Sequence, residues 1–139
     1  MDKYLYFRKA TTAATEDDDA TGSTVYPLSA FQGMCSGTAA AGGAVTDDAD
    51  AFSMFFAPKG VAVAGSGDAD DAGADHTDIV VVAITTDNNQ KAVMKAIIEE
   101  LYYGKSPMIE IFDGGAGSTS SKLHSDIEDI TILHQTTAD

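Results

Sequence analysis

The chain has 139 residues, of which 44% are hydrophobic, and its 22 acidic against 8 basic side chains give a formal net charge of -14. A chain of this length is expected to form one domain, residues 1–139, whose core needs no disulfide. So negative a surface repels phosphate backbones and anionic lipids, which excludes nucleic acid and membranes as expected partners. No run of about 18 apolar residues occurs, so we expect a soluble protein made in a cytoplasm.

The first half of the chain alternates predicted strands with acidic or glycine-rich loops. Residues 4–8 and 25–28 favour extended structure, with Pro27 at a sheet edge or a strand end because it lacks an N–H. Residues 11–23 and 65–75 are predicted acidic loops. Residues 31–46 are rich in Gly and Ala and weakly specified, with 37–43 expected to be mobile. Residues 51–57 predict a strand with Phe52, Met54 and Phe56 on one side, and 61–63 a further short strand.

Residues 78–112 are the most informative part of the chain. The apolar run 79–84 within residues 78–85 predicts a strand covered on both faces. Residues 88–103 predict a helix, with Asp87 as N-cap, Thr86 as a competing cap, and Gln90 completing a capping box. Gly104 predicts a left-handed stop. One apolar stripe faces the sheet and consists of Val93, Met94, Ile97, Ile98 and Leu101.

The remainder adds two strands and sets the fold class. Residues 108–112 predict a strand, 114–121 a loop, and 127–134 a strand with Ile130, Ile132 and His134 on one face. We therefore predict an α+β, β-dominated fold of about six or seven mostly antiparallel strands with one long helix, about 88–103, packed on the sheet. One helix covers only one face, so the second face of 79–84 requires another sheet of the chain or a neighbouring subunit.

No constellation of residues predicts a catalytic, cofactor-binding or metal site. Residues 68–73 resemble the start of a calcium loop, but Ala72 and Ile79 stand at its fifth and twelfth positions, where ligands are needed. Residues 114–122 lack the Gly-Lys-Ser/Thr ending of a phosphate loop. His76, His124 and His134 lack ligand spacing, and each is interpreted as a surface or strand-edge residue; the single Cys35 is interpreted as inert packing.

Four segments of the chain resemble small virion structural proteins of tailed phages of marine bacteria. They are residues 1–8, 26–34, 78–86 and 91–98. The resemblance implies a virion location, a capsid decoration or minor capsid role, no cofactor and synthesis in a bacterial host.

The sequence hypothesis is therefore a non-enzymatic virion protein that associates with itself and with other virion proteins. A small binding or adhesion module is the alternative, in which the acidic loops bind a cation or a basic partner. An enzyme is disfavoured because no nucleophile is paired with a base in the sequence.

Overall fold

The chain folds into an α+β, β-dominated structure, as predicted. A computed structural model describes residues 3–9, 23–40, 44–58, 77–114 and 121–134. Their elements, in chain order, are β1 Tyr4–Arg8, β2 Ser23–Pro27, β3 Phe31–Ser36, β4 Thr38–Ala39, β5 Val45–Thr46, β6 Ala51–Phe56, β7 Asp78–Ile84, α1 Gln90–Tyr103, β8 Met108–Asp113, β9 Ser121–Lys122 and β10 Ile127–Leu133.

The strands of the described ranges outnumber the predicted six or seven because β4, β5 and β9 are additional pieces of two residues each. The predicted strand at 61–63, the acidic loop at 65–75 and most of the loops at 11–23 and 114–121 lie outside the described residues. In the part of the chain that is described, no helix has the length and apolar character needed to cross a bilayer.

Two four-stranded sheets form the body of the molecule. The first sheet has the order β2-β1-β8-β9 and the second sheet the order β10-β7-β6-β3. Neighbouring strands are antiparallel except β1 and β8, which are parallel. Since β7 belongs to the second sheet and β8 to the first, the helix between them carries the chain from one sheet to the other. The strands β4 and β5 form a separate small ribbon.

The inner faces of the two sheets share one hydrophobic core. Strict alternation directs Phe52, Met54 and Phe56 of β6 to one side, as predicted, and all three are fully buried. The ring of Phe56 lies 5.7 Å from that of Phe7 and stacks at 4.3 Å on that of Tyr26, so the core joins strands of both sheets. The sheets therefore shield each other's aromatic side chains.

The helix closes this core with the predicted stripe. Val93, Ile97 and Leu101 are buried in the common core, and Met94 and Ile98 pack against it while partly exposed. Burial of the three inner side chains contributes about 5–9 kcal/mol before chain entropy is subtracted. The packing of α1 is thus a main support of the fold.

The second face of β7 is covered by the same chain. Ile79 and Val81 point to this face and pack with Ala39 of β4 and Ala51 of β6. Phe55 and Leu133 border the cluster. Of the two covers that the sequence left open, another sheet of the chain is the one found here, and no neighbouring subunit is needed for this face.

The described parts of the segment at 31–46, residues 31–40 and 44–46, contain more regular structure than expected. They form β3, β4 and β5, and Gly37 makes the link between β3 and β4. Gly37 has φ 104°, and a Cβ there would meet the carbonyl oxygen of Thr46 at 2.6 Å. The prediction of mobility is wrong at residues 37–39 because a glycine in this conformation permits a close approach of two strands.

The predictions of how α1 is capped at its two ends are wrong. The helix begins at Gln90, and its N-cap is Asn89, which makes no capping bond through its side chain. Asn88 is left-handed with φ 62°. Gly104 is extended, with φ -66°, and not left-handed. Lys3 instead satisfies the last turn, since its Nζ donates to the carbonyl oxygens of Leu101 at 2.7 Å and Gly104 at 2.6 Å.

Candidate functional site

Three chemistry-bearing side chains lie within hydrogen-bond distance of one another: Tyr26, Asp78 and His134. The Tyr26 hydroxyl donates to Oδ2 of Asp78 at 2.6 Å, and Nδ1 of His134 lies 3.1 Å from the same oxygen. The Asp78 side chain is fully buried and that of His134 is 2% exposed. The three residues come from β2, from the start of β7 and from the end of β10, so the network joins the two sheets.

The electrostatics of the network follow from its burial. Burial raises the pKa of the Tyr26 hydroxyl above its ordinary value, and the hydrogen bond to Asp78 and the charge of Asp78 raise it further. A hydrogen bond with Thr24 acts in the opposite direction. The Tyr26 hydroxyl therefore stays protonated at neutral pH and donates to Oδ2 of Asp78.

His134, interpreted from the sequence as a surface or strand-edge residue, lies at a strand edge but not on the surface. It follows the edge strand β10, but its imidazole is buried against Asp78. The burial of Asp78 was predictable from the sequence. Side chains two residues apart in a strand share a face, so Asp78 lies on the same inner face as Val80, Val82 and Ile84. Nothing in the sequence indicates that Tyr26 would be its partner, because the two residues are 52 positions apart.

A second cluster lies beside the helix N-terminus, where an acidic cleft of about 400 Å³ is lined by Ser36, Gly37, Asp47, Asp48, Ala49, Asn88 and Gln90. The Gln90 amide holds its wall: Nε2 donates to the carbonyl oxygens of Asp48 at 3.0 Å and Ala49 at 2.9 Å. The capping-box residue of the sequence prediction thus binds the loop before β6 and not its own helix.

Two exposed carboxyl groups interact at this cleft. A hydrogen bond with Asp50 lowers the pKa of Asp48, and the same bond raises the pKa of Asp50. Thr38 Oγ1 also donates to Asp48 Oδ2 at 2.8 Å. Over the described ranges, no group of three or more His, Cys, Asp or Glu side chains is arranged to hold a metal ion. The calcium-like segment at 68–73 lies outside those ranges.

Large exposed apolar side chains belong to the C-terminal end of α1 and to the first residues of β1 and β8. We call Tyr4, Tyr102, Tyr103 and Met108 the aromatic corner; their exposed fractions are 43%, 69%, 84% and 45%. Tyr4 is the ladder partner of Met108, and the neighbouring Lys3 holds the helix turn that carries both helical tyrosines. A cleft of about 410 Å³ adjoins the corner at Met108, lined also by Glu100, Ser106, Ile109, Glu110 and Leu123.

The aromatic corner is the part of the described surface best suited to protein contact. Tyrosine and methionine side chains are enriched in protein interfaces, because they bury large apolar areas at low entropic cost. The exposure of four large apolar side chains in a highly charged chain marks this part of the surface as a candidate for interaction.

Comparison of the chain with protein-family models, with curated proteins and with solved structures found no match.

Proposed function

We propose that the chain is a non-enzymatic structural protein that associates with copies of itself, and that it serves in a virion as a capsid decoration or minor capsid component. The aromatic corner is the observation that carries self-association. Three tyrosines and a methionine stay exposed in a chain whose net charge is -14. Their burial between copies would remove apolar area from water.

This argument replaces the one that the sequence offered for self-association, which was the uncovered second face of residues 79–84. The second face of β7 is covered by β4, and the aromatic strands cover each other between the sheets. The Tyr4 side chain stays exposed because it lies on the outer face of the first sheet, whereas the side chains of Leu5 and Phe7 are buried. The surface left for a second copy is therefore smaller and more local than the sequence implied.

The burial of the titratable network supports a non-enzymatic role. Tyr26, Asp78 and His134 sit inside the core, and neither of the two clefts described above is lined by any of them. Catalysis requires that an acid or base come within hydrogen-bond reach of a substrate. The network is best suited to holding the two sheets together.

The virion location rests on the resemblance of residues 1–8, 26–34, 78–86 and 91–98. Its test is mass spectrometry of particles purified from the phage that carries the gene. We expect the chain in stoichiometric amounts in intact particles, and genes for portal, scaffold or major capsid proteins beside its own. Its absence from purified particles would contradict the virion proposal and leave self-association to be tested separately.

The acidic cleft favours a second candidate function, the binding of a cation or a basic partner. Asp47 and Asp48 line it, and Asp50 interacts with Asp48. Our proposal treats these groups as solvated, so removal of cations with EDTA is expected to leave the melting temperature unchanged. A decrease of more than about 5 °C would show that a cation contributes to folding and would favour the second candidate.

A further inference from the structure

The outer edges of the two sheets differ in how well they can accept another strand. In β10 the pairing with β7 shifts between Ile127 and Asp129, and Asp129 Oδ1 accepts the Ile130 N–H at 2.8 Å. In β3 the pairing with β6 shifts between Phe31 and Gly33. Bulges and a carboxylate that occupies a backbone N–H both protect an edge from further pairing.

The first sheet is protected on one side only. Its edge strand β9 has two residues, too few for an extended ladder. Its other edge strand, β2, has five residues and keeps an unbroken register with β1 from Tyr4↔Pro27 to Arg8↔Ser23. In the described part of the chain, β1 is the only strand that pairs with β2. Among the sheet edges of the described ranges, β2 is therefore the regular one.

The backbone groups that β2 turns outward follow from the hydrogen bonds of β1. Tyr4 N–H donates to Pro107 on the β8 side, and Leu28 N–H donates to Lys3 from the β2 side. The backbone N–H and C=O groups of successive residues alternate in direction along an antiparallel strand. Those of Thr24 and Tyr26 therefore face β1, whereas those of Ser23, Val25 and Pro27 face away from it. The outward donors are the N–H groups of Ser23 and Val25, since Pro27 has none.

The five residues of β2 carry no charge, and its inward side is anchored to the core. None of the five residues of β2 is charged, in a chain with 22 acidic side chains. Arg8, opposite Ser23 in the ladder, is paired with Asp113 at 3.6 Å. The inward Tyr26 is anchored by Asp78 and stacks on Phe56. Copies that repel each other through their net charge meet at least cost where that charge is lowest.

We propose that β2 pairs antiparallel with β2 of a second copy about a two-fold axis through Val25, which joins two four-stranded sheets into one continuous sheet. This inference rests on the proposed self-association and adds to the aromatic corner a second contact, the β2 edge, whose Pro27 is the ladder partner of Tyr4. In this register the two Val25 residues exchange N–H···O=C bonds, and each Ser23 N–H donates to the Pro27 carbonyl of the other copy. Every outward donor of β2 is satisfied, and Pro27 ends the ladder where it has no N–H to offer. An isologous contact of this kind closes with two copies.

Cysteine cross-linking tests the register. Two Val25 residues that form a hydrogen-bonded pair have Cα atoms about 5.5 Å apart, within the range that a disulfide spans. In a background with Cys35→Ser, Val25→Cys is expected to give a covalent dimer under mild oxidation. Val45→Cys is the matched control, because Val45 is an exposed valine of β5, away from the proposed contact. Efficient dimers from Val45→Cys and none from Val25→Cys would overturn the proposal.

Two further measurements distinguish this inference from self-association in general. Val25→Pro removes an outward N–H and leaves the bonds to β1, so it is expected to weaken association by roughly tenfold or more, whereas Val25→Thr keeps the association. Hydrogen exchange of the wild-type Val25 amide is expected to slow as protein concentration rises. This measurement uses the wild type only, so it tests the contact even if the proline variant does not fold. A wild type that is oligomeric while its Val25 amide exchanges fast at every concentration would refute the β2 contact and leave the proposed function standing. A wild type that is monomeric throughout would refute both.

Discussion

Three buried polar side chains of the described ranges, those of Ser53, Asp78 and Gln90, each have hydrogen-bond partners. Ser53 Oγ donates to the Gly37 carbonyl and accepts the Ala39 N–H, each at 2.9 Å. Gln90 binds the loop before β6, and Asp78 accepts from Tyr26. Each such bond contributes about 1 kcal/mol, but an unmatched partner left in the core costs more. Substitution of one hydrogen-bonding partner is therefore expected to lower the free energy of unfolding by more than the bond itself contributes.

Tyr26→Phe tests this expectation in the network. The variant keeps the stacking on Phe56 and removes the donor to Asp78, so the free energy of unfolding is expected to fall by about 1–3 kcal/mol. Urea denaturation measures it. Tyr103→Phe removes the same atom from an exposed ring and is expected to change stability by less than about 0.5 kcal/mol. Equal effects of the two variants would contradict a stabilising role for the network.

Asp126 gives a prediction about pH. Hydrogen bonds from Asn89 Nδ2, at 3.0 Å, and from Thr86 Oγ1, at 2.7 Å, lower the pKa of this carboxyl. A carboxyl group whose folded-state pKa is lowered stabilises the fold above its unfolded pKa, about 4, and loses this effect as pH falls through the folded value.

The wild type is accordingly expected to melt above Asp126→Asn at pH 7, and the difference is expected to shrink as pH falls below about 4. Thermal melts of both proteins between pH 7 and pH 2 check this. A difference that stays constant over the whole range would show that the charge of Asp126 has no part in it.

At the scale of single elements, local pattern predicted most of the helix and the long strands. The stripe on α1, the alternation in β6 and β10 and the unbroken apolar run of β7 all reflect burial, which the sequence pattern reports directly. Local pattern failed at β3 to β5, because Gly and Ala leave no periodic signal. It also failed at both ends of α1, where Gln90 and Lys3 act through contacts with distant segments.

Ile97→Asp tests the packing of α1. Ile97 is fully buried in the core, so the substitution buries a carboxylate without a partner and is expected to cost several kcal/mol. Ala92→Asp places the same side chain at an exposed position of the same helix and is expected to cost less than about 1 kcal/mol. Thermal denaturation compares the two. A melting temperature of Ile97→Asp within one or two degrees of the wild type would contradict the packing.

At the scale of the whole molecule, the sequence predicted the class of the fold but not its topology. The parallel pairing of β1 with β8 joins residues about a hundred positions apart, and no local signal encodes it. The Tyr26, Asp78 and His134 network depends on the same long-range arrangement, since it forms only when β2 faces β7 and β10. The aromatic corner likewise exists only once Lys3 meets the end of α1.

Charge and apolar contact oppose each other when copies of the whole molecule meet. The net charge of -14 repels like copies at low ionic strength, and salt screens this repulsion over about 8 Å at 0.15 M. Added salt favours contact between copies through the aromatic corner or the β2 edge, because salt weakens the charge repulsion between the copies but not these contacts. Self-association is therefore expected to strengthen as salt increases.

Light scattering coupled to size-exclusion chromatography, at high micromolar concentration and in about 0.5 M NaCl, measures the mass on which the proposed function depends. We expect a mass that is a whole multiple of the 14.4 kDa chain, and a smaller average mass at low salt. A monodisperse species of 14.4 kDa in high salt would contradict self-association and favour the binding module.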